Sequence, residues 1–202
     1  MGSELKCTVR FGKETSEGRA LLETSEVLFR GAFRLKIPFA TIKSAKAVDG
    51  ELRLETASGL AIFEIGPAAE KWREKILHPK TRIEKVGLKA GAKVSLVGNF
   101  GADFLDELKS LGGSVTRDKV AADSDIIFFA ADSPKELNSV AKIARPLKGA
   151  TALWIVYPKG QKTITENDVI AAGRKTGLKD VKVVGFSATH TALKFVLPLD
   201  KR

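Results

Sequence analysis

Along residues 5–65 apolar and polar positions alternate in short runs: Leu5–Gly12, Arg19–Glu23, Glu26–Gly31, Phe33–Ile37, Lys43–Val48, Leu52–Thr56 and Leu60–Ile65. A period of two is the mark of half-buried strands. Turn-forming residues separate the runs at Ser16-Glu17-Gly18, Thr24-Ser25, Gly31-Ala32, Asp49-Gly50 and Ser58-Gly59. Asp49-Gly50 is the strongest hairpin signal, because both central residues of a type I′ turn need positive φ. Seven short strands joined by tight turns predict a meandering barrel or sandwich. The period then becomes helical. Pro67 opens a helix where its missing N–H costs nothing, and Ala69, Trp72 and Ile76 share a face before His78-Pro79 ends it.

A different pattern follows. Lys80–Ala92 is a basic connector containing Gly87 and Gly91. Val94–Val97 then reads as a buried strand and Gly98-Asn99-Phe100-Gly101 as a loop. A helix from Asp103 to Leu111 buries Phe104, Leu105, Leu108 and Leu111 and stops at Gly112-Gly113. Strands are predicted near Val115, over Asp125–Ala131 and over Leu153–Tyr157, with a helix opened by Ser133-Pro134 and running to Leu147. Thr165-Glu166-Asn167-Asp168 opens a last helix that ends at Gly177, and Val181–Ser187 and Ala192–Leu197 close the chain as strands. Alternating strands and helices predict a mostly parallel sheet covered on both faces.

Two connections shape that expectation. Only eight residues separate Arg117 from Ile126, too few for a helical crossover, so the third strand of a standard nucleotide fold is expected to be missing. The last two strands are joined too closely for a crossover and must form an antiparallel hairpin. The expected architecture is therefore an all-β barrel with a C-terminal helix over 1–79, a connector over 80–92, and an α/β domain over 93–202 with strand order 2-1-4-5-7-6.

Composition narrows the function classes. No apolar run approaches the ~20 residues that span a bilayer, and Met1-Gly2-Ser3-Glu4 lacks the basic and apolar regions of a secretory leader. The single cysteine, Cys7, rules out an intramolecular disulfide, and with only His78 and His190 beside it a structural zinc site is not expected. A cytoplasmic location fits. The net charge is +10. Residues 1–80 hold 14 basic and 11 acidic side chains, net +3, and residues 81–202 hold 20 and 13, net +7. A basic excess of this kind suits nucleic acid, an anionic surface or an acidic partner. It is spread along the chain, however, which is the pattern of a solvated surface.

The seven-strand rhythm closed by the Trp72 helix, with Lys36-Ile-Pro38-Phe39 followed by a short turn and another strand, resembles the pleckstrin-homology and GRAM superfamily. That resemblance implies a module for protein contact or anionic lipid. Lys6, Arg10 and Lys13 lie where lipid-binding members carry basic residues, but the spacing departs from their motif and Glu14 and Glu17 share the loop. The expected strand order of the second half resembles a shortened methyltransferase-type Rossmann-like fold. More closely, Leu88-Lys-Ala-Gly91-Ala-Lys-Val94, Trp154-Ile-Val-Tyr157-Pro-Lys-Gly160, Thr165-Glu-Asn-Asp168 and Thr189-His-Thr-Ala-Leu-Lys-Phe195 resemble a bacterial domain-of-unknown-function family (DUF 3052-like), which implies no activity.

Candidate ligand-cleft residues are sought beyond the carboxyl ends of the strands, where open α/β sheets bind ligands. They are Gly98, Asn99, Gly101, Asp118, Asp132, Tyr157, Lys159, Glu166 and His190. The glycine loop has its glycines three apart, not the Gly-x-Gly-x-x-Gly spacing of a dinucleotide site. Phe100 adds bulk where a pyrophosphate would lie, and Asp103, Asp106 and Glu107 follow in the next helix. Nicotinamide, flavin and ATP are therefore disfavoured. S-adenosylmethionine carries no phosphate, and Asp118 lies 20 residues after Gly98, near the spacing of a ribose-reading acid. The strand before the loop offers Ser95 in place of the acid that methyltransferases usually carry there. Lys159, His190, Tyr157 and Glu166 could bind an anion or move protons. No cofactor is expected on balance, and no catalytic residue is assigned. The leading expectation is a non-catalytic cytosolic binding or regulatory protein whose partner is another protein. The alternatives are a small S-adenosylmethionine-dependent methyltransferase-like enzyme and a nucleic-acid-binding protein.

Overall fold

The computed structural model describes residues 3–201. Met1 and Gly2, which open the first expected domain and the stretch weighed as a leader, and Arg202, which ends the second, lie outside the described residues. The chain folds as two compact units that divide between Lys80 and Thr81, and each is described by itself.

The first unit is one continuous antiparallel sheet of seven strands: β1 (Ser3–Phe11), β2 (Glu14–Leu22), β3 (Glu26–Arg30), β4 (Arg34–Pro38), β5 (Ile42–Val48), β6 (Glu51–Thr56) and β7 (Gly59–Glu64). Their order is β4-β3-β2-β1-β7-β6-β5. This corrects the expected barrel. The sheet curls into a half-barrel whose two edges, β4 and β5, do not pair. Helix α1 (Ala68–Leu77) packs on β5 and β6 and buries Ala69, Trp72 and Ile76 in the hollow of the curl. A bulky helix face inside the curl supplies apolar burial that closure would otherwise provide.

The Asp49-Gly50 turn has φ of 51° and 80°, as a type I′ hairpin requires. Ser16-Glu17-Gly18 is not a turn. It lies within β2, where Gly18 pairs with Cys7, and the chain reverses earlier, between Phe11 and Glu14. Gly18 is needed for space: a Cβ there would run into the Arg30 carbonyl and the Phe29 ring on β3.

The second unit begins with a short helix, α2 (Arg82–Val86), inside the stretch read as a connector. Thr81 and Glu84 form a capping box at its start. The sheet follows, with β8 (Val94–Val97), β9 (Val115–Arg117), β10 (Ile126–Ala130), β11 (Ala152–Pro158), β12 (Lys179–Gly185) and β13 (His190–Val196) in the order β12-β13-β11-β10-β8-β9. The sheet is mixed, which corrects the expectation of a mostly parallel one. β13 lies between β11 and β12 and is antiparallel to both, forming the two longest ladders of the sheet. The parallel ladders β8–β9, β8–β10 and β10–β11 are shorter. The cause is the tight β12–β13 connection, which cannot cross over and so turns the chain back into the sheet.

Helix α3 (Ala102–Ser110) covers one face with α2, around Phe104, Phe128, Trp154 and Phe186. The other face carries α4 (Pro134–Leu137), α5 (Val140–Ala144) and α6 (Glu166–Arg174) over Phe129, Ile155 and Phe195. The single helix expected from Pro134 to Leu147 is thus two short ones, broken at Asn138-Ser139. Gly173 on α6 lets the helix approach β13 so closely that a Cβ would enter the Phe195 ring. Among the described residues no helix is long and apolar enough to cross a membrane.

Candidate functional site

The parallel strands β8, β10 and β11 end on the same side of the sheet, and the turn into β13 joins them there through the Pro158–His190 pairing. Two polar pairs form on this side. His190 Nε2 stands 3.3 Å from Asp132 Oδ1, linking the end of β10 to β13. The other ring nitrogen, Nδ1, is 2.9 Å from Thr189 Oγ1. Tyr157 is buried and donates its hydroxyl to Glu166 Oε2 at 3.1 Å. Burial pushes the phenol pKa up, and the Glu166 carboxylate pushes it further, so Tyr157 stays a proton-bearing donor.

These pairs rest on local structure legible in the chain. Ser133 and Glu136 form a capping box at α4, and Glu136 Oε2 also accepts from the Asp132 backbone N–H at 2.7 Å. Thr165 and Asp168 form the corresponding box at α6, which sets Glu166 in the first helical turn. Lys159 is exposed and its backbone N–H donates to the Thr189 carbonyl at 2.7 Å. Asp132, Tyr157, Glu166 and His190 are therefore joined as two separate pairs at the strand ends, with Lys159 beside them on the backbone.

The glycine loop has other work. Gly98 ends β8 at φ +95°, and a Cβ there would stand 2.9 Å from the Ala130 carbonyl oxygen and 3.1 Å from the Ala130 Cβ. The space its missing side chain opens is filled by β10. At Gly101 the corresponding space holds Asp103 Oδ1, 2.5 Å away. Phe100 is buried, with its ring centroid 5.7 Å from Phe104, 6.4 Å from Phe128 and 6.3 Å from Phe186. Asn99 is exposed at the tip of the loop. Asp118 is exposed after β9 at φ 60°, with its backbone N–H on the Leu96 carbonyl at 2.8 Å.

Arg82 sits over this loop's helix. Its guanidinium lies 4.9 Å from both the Phe104 and Phe186 ring centroids and bonds Asp103 and Glu107, each at 2.8 Å. The hydrogen bond to Asp103 holds that carboxyl below the usual carboxylate range. Two of the three carboxylates that follow the loop thus share Arg82, and Asp106 is paired with Lys109 at 2.8 Å. Sequence reasoning missed Arg82 altogether, because its partners lie 21 and 25 residues away with no periodic link.

The strand before the loop supplies no carboxylate for S-adenosylmethionine, because Ser95 is buried there against Ser124. Neighbouring atoms take the Cβ side of both glycines, β10 at Gly98 and Asp103 at Gly101, while Gly98, Asn99 and Gly101 are themselves exposed and the Phe100 ring is buried in the phenylalanine cluster. The same burial takes these phenylalanines out of use as stacking platforms for bases. Among the described residues no group of three or more His, Cys, Asp or Glu side chains could hold a metal.

No protein-family model and no curated protein matches the chain. Among solved structures it is similar to an S-adenosylmethionine-dependent methyltransferase from Aquifex aeolicus, at 16% identity over 56% of this chain and 86% of that one, with a TM-score of 0.40. It is similar also to a TehB-like methyltransferase from Corynebacterium glutamicum, at 13% identity over 64% of this chain and 96% of that one, with a TM-score of 0.39. The C-terminal domain of an unknown protein from Leishmania infantum aligns at 11% identity over 38% of this chain and 80% of that one, with a TM-score of 0.32. At these scores the similarities assign no activity, and the functional reading rests on the residues.

A concavity lies on the sheet face that carries α4, α5 and α6. It is a groove of about 860 Å³ between α4–α5 and α6, with Leu137, Leu147 and Leu178 on its floor.

Proposed function

We propose that the chain is a binding or regulatory protein of the cytoplasm that acts through another protein and performs no methyl transfer. The observation that carries this reading is the glycine loop, where β10 takes the Cβ side of Gly98, Phe100 is packed into the core and buried Ser95 stands on the strand that would have to supply an acid. The polar groups at the strand ends support it. His190 is engaged at both ring nitrogens and the Tyr157 hydroxyl is committed to Glu166. Pairs of this kind hold the strand ends to α6 and β13. A buried, unpaired Cys7 suits a reducing compartment.

A methyltransferase-like enzyme is the second reading. It is favoured by one observation, the antiparallel strand β13 set between β11 and β12, and fold alone does not carry function. Titration calorimetry with S-adenosylmethionine and its demethylated product separates the two. The binding-protein reading expects no heat with either ligand. Micromolar binding together with methyl transfer to any acceptor would overturn it.

A further inference from the structure

The groove between α4–α5 and α6 is polarised. Chain direction sets its two ends. β10 and β11 are parallel, so α4 and α5 must return toward the strands' amino ends, and α6 returns the same way before β12. Both helices therefore finish at one end of the groove. Arg145 and Lys175 stand there as the residues after α5 and α6, both exposed. Among the described residues neither side chain has an ion-pair or hydrogen-bond partner. Cations at helix C-termini face the carbonyl end of the helix dipole and are held there favourably.

Between the ends the floor is apolar, with Leu147 and Leu178 near the cations and Leu137 further along. The walls are low because Ala141 and Ala171 line them. At the far end Asp168 caps α6, accepting from the Thr165 hydroxyl at 2.6 Å and from its N–H at 2.8 Å. Asp168 and Lys175 are seven positions apart, ~10 Å along the helix axis. The volume of about 860 Å³ is in the range of small-molecule sites.

We propose that this groove binds a single-chain fatty carboxylate, with its carboxylate between Arg145 and Lys175 and its tail along Leu147, Leu178 and Leu137. Charge complementarity selects the occupant. Two cations at one end call for one anionic head. An acidic helix from a partner would carry negative charge along its length and meet Asp168 at the far end. A bilayer would present many headgroups to a groove that has cations at one end only.

The test is titration calorimetry of the full chain with laurate below its micelle concentration. Saturable one-to-one binding is expected. Reversing both charges in an Arg145→Glu, Lys175→Glu double variant is expected to weaken it by about tenfold or more, the worth of one charged contact. Dodecanol, which has the same tail and no charge, should bind the wild-type chain and the double variant alike. Ala171→Trp places an indole across the groove and should abolish binding of both, with circular dichroism confirming the fold. The proposal is overturned if laurate does not bind, or if it binds the double variant as tightly as the wild-type chain. It is equally overturned if the groove is filled instead by an acidic amphipathic peptide or engaged only by anionic phospholipid vesicles. The inference goes beyond the function proposed above. Methyl transfer would leave it standing, and failure of laurate to bind would leave the reading of the glycine loop as it is.

Discussion

Ser95 Oγ and Ser124 Oγ stand 2.7 Å apart, both side chains buried, and tie strand β8 to the short link that enters β10. Ser95 Oγ also accepts the Ala121 backbone N–H at 3.0 Å, and Ser124 Oγ donates to the Ala121 carbonyl at 2.8 Å. The connection between β9 and β10 has no helix to pack on the sheet. The two serines hold it there instead, and Ser95 Oγ satisfies the half-buried Ala121 N–H. Ser95→Ala orphans the Ala121 N–H and is expected to cost about 1–3 kcal/mol of stability. Urea denaturation measures it, and a loss within the ±0.5 kcal/mol or so of an ordinary surface substitution would refute the role.

Gly173 and Phe195 make a second close approach. The Cβ of a Gly173→Ala variant would enter the Phe195 ring, so the helix or the ring must move. Overpacking of this kind is expected to cost about 1–3 kcal/mol. Combining it with Phe195→Leu should give less than the sum of the two single losses, as residues in contact do. Strict additivity in thermal or urea unfolding would show that α6 does not press on β13 at this point.

The Arg82–Asp103 pair sets an acid dependence. Its hydrogen bond depresses the Asp103 pKa in the folded chain. A depressed carboxyl contributes stability that is present above its unfolded value, about 3.9, and is lost as pH falls through the folded value. Arg82→Met removes the partner while keeping apolar bulk against Phe104 and Phe186. The variant's stability should therefore fall less steeply below about pH 4 than that of the wild-type chain. Urea midpoints across the acid range check this, and parallel acid limbs would contradict it.

Cys7 is buried on β1, and burial pushes its thiol pKa up. The thiolate is the reactive form. A neutral-pH titration with a disulfide-exchange reagent should leave the folded chain unlabelled and label it promptly once denaturant unfolds the first unit. Rapid labelling under native conditions would place Cys7 at a surface.

Local rules made much of the first unit legible. Alternation marked the strands, Asp49-Gly50 the hairpin, and Pro67 with Trp72 the helix. The same rules misplaced the β1–β2 turn, because Gly18 looks like a turn residue and is instead glycine for the space it leaves to Phe29 and Arg30. At the candidate site, capping boxes at Ser133 and Thr165 could be read from spacing. The pairing of Asp132 with His190 across 58 residues could not.

The sequence by itself determined most of the strands, the starts of α1, α4 and α6, and that the last two strands must be antiparallel, since these follow from periodicity, capping chemistry and connection length. Only the tertiary structure decided what depends on distant partners. It opened the first sheet into a half-barrel around α1, made the antiparallel ladders of β13 the longest in the second sheet, and brought Arg82 onto Asp103 and Glu107. It also packed one side of the glycine loop. Gly98 pointed along the chain to a ligand cleft, and folding set its Cβ side against Ala130 of β10 and buried Phe100 among three other phenylalanine rings.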